Sequence, residues 1–258
     1  MSLRTAAPIS DTFPLKKMGG GTRGAGLNSI AAVSEQNPAS GRWTNRLAVL
    51  VGLVVATMLA FSWDLPIARW AHAHPPRGVV RDFFEAAEYY GQAFGAVLII
   101  ITAGVLDPLK KRVIPWLLVA ALGAGLTADV AKQLVERQRP RDLELTNPEV
   151  QVTIRSLLPI LEGRIASHSF PSGHTATAFG LTVALAACYP RGRIWFFILG
   201  CLVGIQRVES LSHYPSDVFG GAAIGLLIGW LVVDGKIAPL LRSTATTLSA
   251  EEPPPRVA

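Results

Sequence analysis

Charge is scarce in this chain. Only 16% of its 258 residues are charged, while half are apolar. A soluble domain normally carries about a quarter charged residues. The shortage excludes a water-exposed globule, because the polar surface is too small to dissolve the apolar stretches described below. Cysteine is nearly missing. The two present, Cys188 and Cys201, fall in or beside apolar stretches. They read as packing residues, not as a disulfide or a metal pair, and no Cys/His spacing matches a zinc site. No basic stripe interleaved with aromatics occurs, and no nucleic-acid recognition motif, so the net charge of +6 does not point to nucleic acid. Nothing at the start resembles a cleaved signal peptide, because residues 1–46 are polar and the first apolar stretch begins too late.

What is present is clumped. Six stretches carry no charge: 47–63, 89–106, 113–128, 175–190, 194–206 and 218–233. A membrane-spanning helix needs about 20 mostly apolar residues. With flanking aromatic residues and snorkelling cations counted, all six approach that length. The expected fold is therefore all-α, a polytopic membrane protein with about six transmembrane helices. The expected division is a flexible N-terminal tail over 1–46, a membrane domain over 47–235 and a C-terminal tail over 236–258. Lys16, Lys17, Arg42 and Arg46 in the first tail read as topology signals, with contact to anionic lipid headgroups as the alternative. With the N-terminus inside, 14 of the 24 Lys and Arg fall on the inner side and 12 of the 18 acidic residues on the outer. The short basic segments around Lys110, Lys111, Arg112, Arg191 and Arg193 weigh most. This places both termini in the cytoplasm of an integral inner-membrane protein.

The connections carry further signals. Pro75-Pro76 ends regular structure, and VVRDFFEAAEYY after it reads as a short amphipathic helix, with Phe83, Phe84, Tyr89 and Tyr90 as interfacial anchors. The third apolar stretch runs through Asp129, Lys132 and Glu136 without a breaker until Pro140, which predicts a helix projecting past the apolar core. Spacings of three and four allow ion pairs of Lys132 with Asp129 and with Glu136. Segment 141–168, with Asp142, Glu144, Glu149, Arg155, Glu162 and Arg164, is large enough to act as a lid. The last two apolar stretches are rich in glycine, which allows close helix contact.

Three strings carry chemistry: KQLVERQRP at 132–140, PSGH at 171–174 and RVESLSHYPSD at 207–217. All fall on the outer side. Phosphate is a polyanion that needs several donors, and Lys132, Arg139 and Arg207 can supply a mobile point charge and two planar forks. Cations near hydrocarbon need an anionic partner or a wet cavity. In PSGH, Ser172 can cap a helix or donate, Gly173 allows close backbone approach, and the exposed N–H groups form an anion site. A plain turn and cap is the alternative for that string alone. His213 and Asp217 are four apart with Pro215 between them, so a helix is expected to begin there. A carboxylate beside an imidazole fixes its tautomer and raises its basicity. His213 then becomes a nucleophile toward phosphorus, and His174 the acid for the leaving oxygen.

These strings resemble the type 2 phosphatidic acid phosphatase (PAP2) superfamily. Its pattern is Lys, six residues, Arg-Pro, then Pro-Ser-Gly-His, then Ser-Arg, five residues, His, three residues, Asp. The resemblance covers about 47–235. It implies that Lys132, Arg139, Arg207, Ser172 and Gly173 hold phosphate. It also implies that His213, Asp217 and His174 perform catalysis through a phosphohistidine, with no metal or other cofactor. The substrate would be a lipid phosphate or isoprenoid diphosphate at the outer membrane face. Nothing identifies protein partners. One residue departs from the pattern, Gln206 in place of serine. Glu209 lies close in sequence and either pairs with a cation or faces away. Two rival activities follow from the same groups. One is a phosphotransferase passing phosphate to an alcohol, and the other is a silent lipid-binding or transport protein.

Overall fold

A computed structural model describes residues 38–149, 152–158 and 169–243. Lys16, Lys17, Glu162 and Arg164 fall outside these residues, as do 1–37 and 244–258 of the two tails, whereas Arg42 and Arg46 lie in α1. The helices are α1 (Pro38–Ala60), α2 (Asp64–Ala73), α3 (Val79–Glu88), α4 (Ala93–Leu106), α5 (Ile114–Lys132), α6 (Gly173–Cys188), α7 (Arg193–Glu209) and α8 (Pro215–Val232). A short antiparallel ladder joins β1 (Val135–Arg137) to β2 (Ile154–Leu157), with Val135 opposite Leu157.

Six spans are not found. Among the described residues three helical segments are long and apolar enough to cross a membrane: Trp43–Ala60, Pro108–Lys132 and Pro215–Ser243. A fourth counts only if α3 and α4 act as one span bent by 73°. The reason is that an uncharged run is not the same length as a helix. At 1.5 Å per residue, the 14 residues of α4 reach about 21 Å. The 16 of α6 reach about 24 Å and the 17 of α7 about 25 Å. All three fall short of a hydrocarbon core of ~30 Å. Moreover, α7 ends in charge, with Arg207 and Glu209 in its last turn.

The short helix α6 is the centre of the fold. It packs against α5, α7 and α8, and buries Ala176, Ala178, Leu181, Ala184 and Leu185. Small residues set the distances. A Cβ on Gly221 of α8 would lie 2.3 Å from the Ser172 carbonyl oxygen, so only glycine lets the two helices meet there. Such contact is what the glycine-rich stretches led one to expect.

Two local expectations change. The amphipathic helix α3 forms, and Phe83 and Tyr89 are exposed, but Tyr90 is not an anchor. It is buried in the core, with its hydroxyl 3.0 Å from Thr182 Oγ1. Helix α5 stops at Lys132, and the chain continues as β1, so Glu136 is not on the helix. The Asp129 pair forms at 2.6 Å, whereas the Glu136 pair does not. The ladder and tertiary bonds hold the extended conformation: Leu158 N–H donates to Leu134 O, and Ser169 N–H to Arg137 O.

Candidate active site

The three strings meet at one end of the α5, α6, α7 and α8 cluster. Lys132 closes α5, Gly173 opens α6, Arg207 lies in the last turn of α7, and His213 stands two residues before α8. Together with Arg139, Arg141 and His174 they line a cavity of about 420 Å3. Pro215 at the first position of α8 fixes where that helix begins. Ser172 is the N-cap of α6, and its Oγ accepts from Thr175 Oγ1 at 2.9 Å. It is fully buried, so its hydroxyl serves the helix end and does not line the cavity. Gly173 packs close to α5, and a Cβ there would lie 3.1 Å from Asp129 Oδ1 and 3.3 Å from Lys132 Nζ, so these side-chain ends would have to shift slightly.

His213 is buried, and its Nδ1 stands 3.5 Å from Asp217 Oδ2. That is an ion-pair distance, too long for a well-made hydrogen bond. Asp217 is held firmly by other groups. Its Oδ2 accepts from Ser169 Oγ at 2.5 Å and from Tyr214 N–H at 2.9 Å. Its Oδ1 accepts from Arg137 Nη1 at 2.5 Å. Burial lowers the pKa of His213 below the usual imidazole range, and Asp217 opposes this. Burial, then the charge of Arg207, lowers His174 to about 4, opposed by Glu88. Both imidazoles are therefore neutral at neutral pH.

Sequence reasoning missed three groups. Arg137, fully buried, pairs with both Asp64 and Asp217 and bonds Ser216 Oγ at 2.6 Å. Its guanidinium lies over the rings of Phe61 and Tyr214. It stands inside the first string, between Lys132 and Arg139. Asp64 joins this network from α2, accepting from Ser216 N–H at 3.0 Å. Glu88, the last residue of α3, pairs with Arg207 and stands 3.5 Å from His174 Nε2. Neither carboxylate lies in a local pattern. Gln206 fills the place of the family serine with two bonds, donating to Glu88 Oε2 at 3.1 Å and accepting from Arg207 Nε at 2.6 Å. Glu209 faces away from this cavity, toward a second one of about 470 Å3 that Arg81 and Glu85 also line.

Known proteins share this architecture. A family model described as the PAP2 superfamily matches residues 114–236. The chain is 29% identical over 205 residues to a lipid A 1-phosphatase of Rhizobium etli, covering 73% of this chain and 82% of that protein. It is 36% identical over 86 residues to an undecaprenyl-diphosphatase of Bacillus subtilis, covering 33% of this chain and 42% of that one. The fold matches the crystal structure of a transmembrane PAP2-type phosphatidylglycerolphosphate phosphatase from Bacillus subtilis with a TM-score of 0.56. That match has 21% identity and covers 75% of this chain and 96% of the other. With the family match spanning all three strings and the relatives extending it into the N-terminal helices, the chain belongs to the PAP2 superfamily, in its membrane-associated lipid-phosphatase branch.

Proposed function

We propose that this protein is a metal-independent lipid phosphate or diphosphate phosphatase that works through a phosphohistidine on His213. The observation that carries this reading is the single cavity bearing Lys132, Arg139, Arg207 and both histidines. The three cations supply the positive charge that a phosphate needs, so no metal is assigned a role. Among the described residues no group of three or more His, Cys, Asp or Glu is placed to hold one.

The phosphoryl oxygens bind the three cations and the backbone at the start of α6. Ser172 contributes by capping that helix end. With Nδ1 on Asp217, Nε2 of His213 attacks phosphorus, and the bond to the lipid oxygen breaks. His174 gives its proton to that oxygen, having gained it as the phosphate brings negative charge beside it. Water then attacks the phosphohistidine, His174 takes the water's proton, and the N–P bond breaks to release inorganic phosphate. The cations stabilise charge spread over the equatorial oxygens in both steps.

An apolar groove of about 710 Å3, lined by Leu53, Ile67, Phe197, Ile205 and Phe219 among others, supports a hydrocarbon-bearing substrate. The long overlap with lipid A 1-phosphatase puts a phosphorylated lipid A first among candidates. The basic residues Lys110–Arg112, Arg191 and Arg193 lie at the ends of α5, α6 and α7 opposite the site. With α3 and α4 counted as one bent span, this supports a site facing the periplasm or cell exterior, with both termini cytoplasmic.

The test is phosphate release by purified protein in detergent, with EDTA present, against lipid A phosphate, undecaprenyl diphosphate, phosphatidylglycerol phosphate and phosphatidic acid. Release that survives EDTA and drops at least about 1000-fold in His213→Ala is expected. Wild-type turnover in His213→Ala would overturn the mechanism. Transfer to an added alcohol in preference to water would make the protein a phosphotransferase.

A further inference from the structure

The site holds two histidine–carboxylate pairs, not one. Glu88 Oε1 stands 3.5 Å from His174 Nε2, the same separation as His213 Nδ1 from Asp217 Oδ2. The Glu88 carboxylate is fixed from several sides. Gln92 Nε2 donates to its Oε1 at 3.0 Å, Gln206 Nε2 donates to its Oε2, and Arg207 Nη2 pairs with Oε2. Resting on the phosphatase reading above, we propose that Glu88 is a positioning residue that orients His174 and keeps the leaving-group proton on it.

The charges around His174 explain why such a residue is needed. Arg207 of α7, Lys132 of α5 and His213 before α8 all face it, and each disfavours an imidazolium there. Glu88 of α3 is the anion facing it. Asp129 of α5 is engaged by Lys132. Glu88 is shared between Arg207 and His174. An arriving phosphate takes up Arg207 and so releases Glu88 to His174. The acid is thereby charged when substrate is present, and a cation-rich pocket can still hold a protonated histidine. Gln206 belongs to the same device. Its amide spans from Arg207 Nε to Glu88, a reach the shorter serine lacks.

The full-length protein labelled with 13C-histidine in detergent, saturated with inorganic phosphate, gives the His174 titration midpoint by NMR, assigned with His174→Ala. Glu88→Gln is expected to lower that midpoint by about 1 pH unit or more. The same variants are assayed on a lipid phosphate and on p-nitrophenyl phosphate, whose leaving group departs without a proton. Glu88→Gln is expected to lose about 10-fold on the lipid and under about 3-fold on the aryl ester. Glu88→Asp, which keeps the charge, is expected to recover part of the lipid rate. An unmoved midpoint overturns the proposal. So does an equal loss on both substrates with raised KM, which would mean Glu88 only orders Arg207. If His174→Ala leaves lipid turnover intact, the proposal is overturned because His174 is not the acid, whereas a wild-type protein that releases no phosphate means that the phosphatase reading has failed, and the midpoint alone then decides whether Glu88 governs His174.

Discussion

Replacing Arg137 with alanine probes the support behind the nucleophile. Arg137 is fully buried, as are its partners Asp64 and Asp217. The guanidinium bridges the two carboxylates at 2.5 Å each. Its removal leaves two carboxylates out of water without a cation. Losing one member of a buried ion pair costs about 3–5 kcal/mol. The bonds from Ser169, Tyr214 N–H and Ser216 remain and keep the cost from doubling. At about 2–4 °C per kcal/mol for a domain near this size, the unfolding midpoint should fall by roughly 6–20 °C. The assay is the fraction of monodisperse protein left after heating in detergent, read by size exclusion. Asp64→Asn with Arg137→Met removes the cation together with one anion, so it should be less damaged than Arg137→Ala alone. A midpoint for Arg137→Ala within about 2 °C of wild type would refute the reasoning. So would a double variant worse than the single one.

Two further outcomes follow from the same geometry. His213 must be neutral to attack phosphorus, so activity is present above its pKa and is lost as pH falls through it. Burial already lowers that pKa and Asp217 raises it. Asp217→Asn should therefore shift the acidic limb of kcat/KM to lower pH while cutting the maximum rate by roughly 10²–10⁴-fold, and a limb that moves upward would contradict this. Gln206→Ser should break the bonds to Glu88 and Arg207, at about 1 kcal/mol each. A KM several-fold higher in steady-state assays is expected, and an unchanged KM would mean that Gln206 does not order the cation.

Much of the site was legible because its chemistry is local in sequence. Lys132 and Arg139, Pro171 to His174, and Arg207 to Asp217 each sit within a dozen residues, and the last two strings hold helix starts that proline, serine or glycine marks. The starts of α6 and α8 follow from Ser172 and Pro215 for that reason. The fold was less legible where length was inferred from the absence of charge. Stretch 89–106 became a helix of 14 residues because a turn claimed its start, while 175–190 and 194–206 became helices of 16 and 17 residues that flanking residues did not extend to a span. The extended turn after Lys132 was hidden as well. Three residues of β1 carry no pattern, and what draws Arg137 inward is a pair of carboxylates 73 and 80 residues away.

That distance says how the work is divided along the chain. The groups placed to touch phosphate all come from 132–213, inside the stretch the family model matches. Two of the carboxylates that hold those groups come from the N-terminal helices, outside it. Asp64 shares Arg137 with Asp217, and so bears indirectly on His213. Glu88 pairs with Arg207 and faces His174. Each cation so held would otherwise lie buried beside hydrocarbon without a full set of partners, a costly arrangement. A fragment beginning at Ile114 would keep every residue of the three strings. It would leave Arg137 with one carboxylate in place of two, and Arg207 without Glu88. The N-terminal helices are therefore part of the site's electrostatics as well as of its anchoring in the membrane.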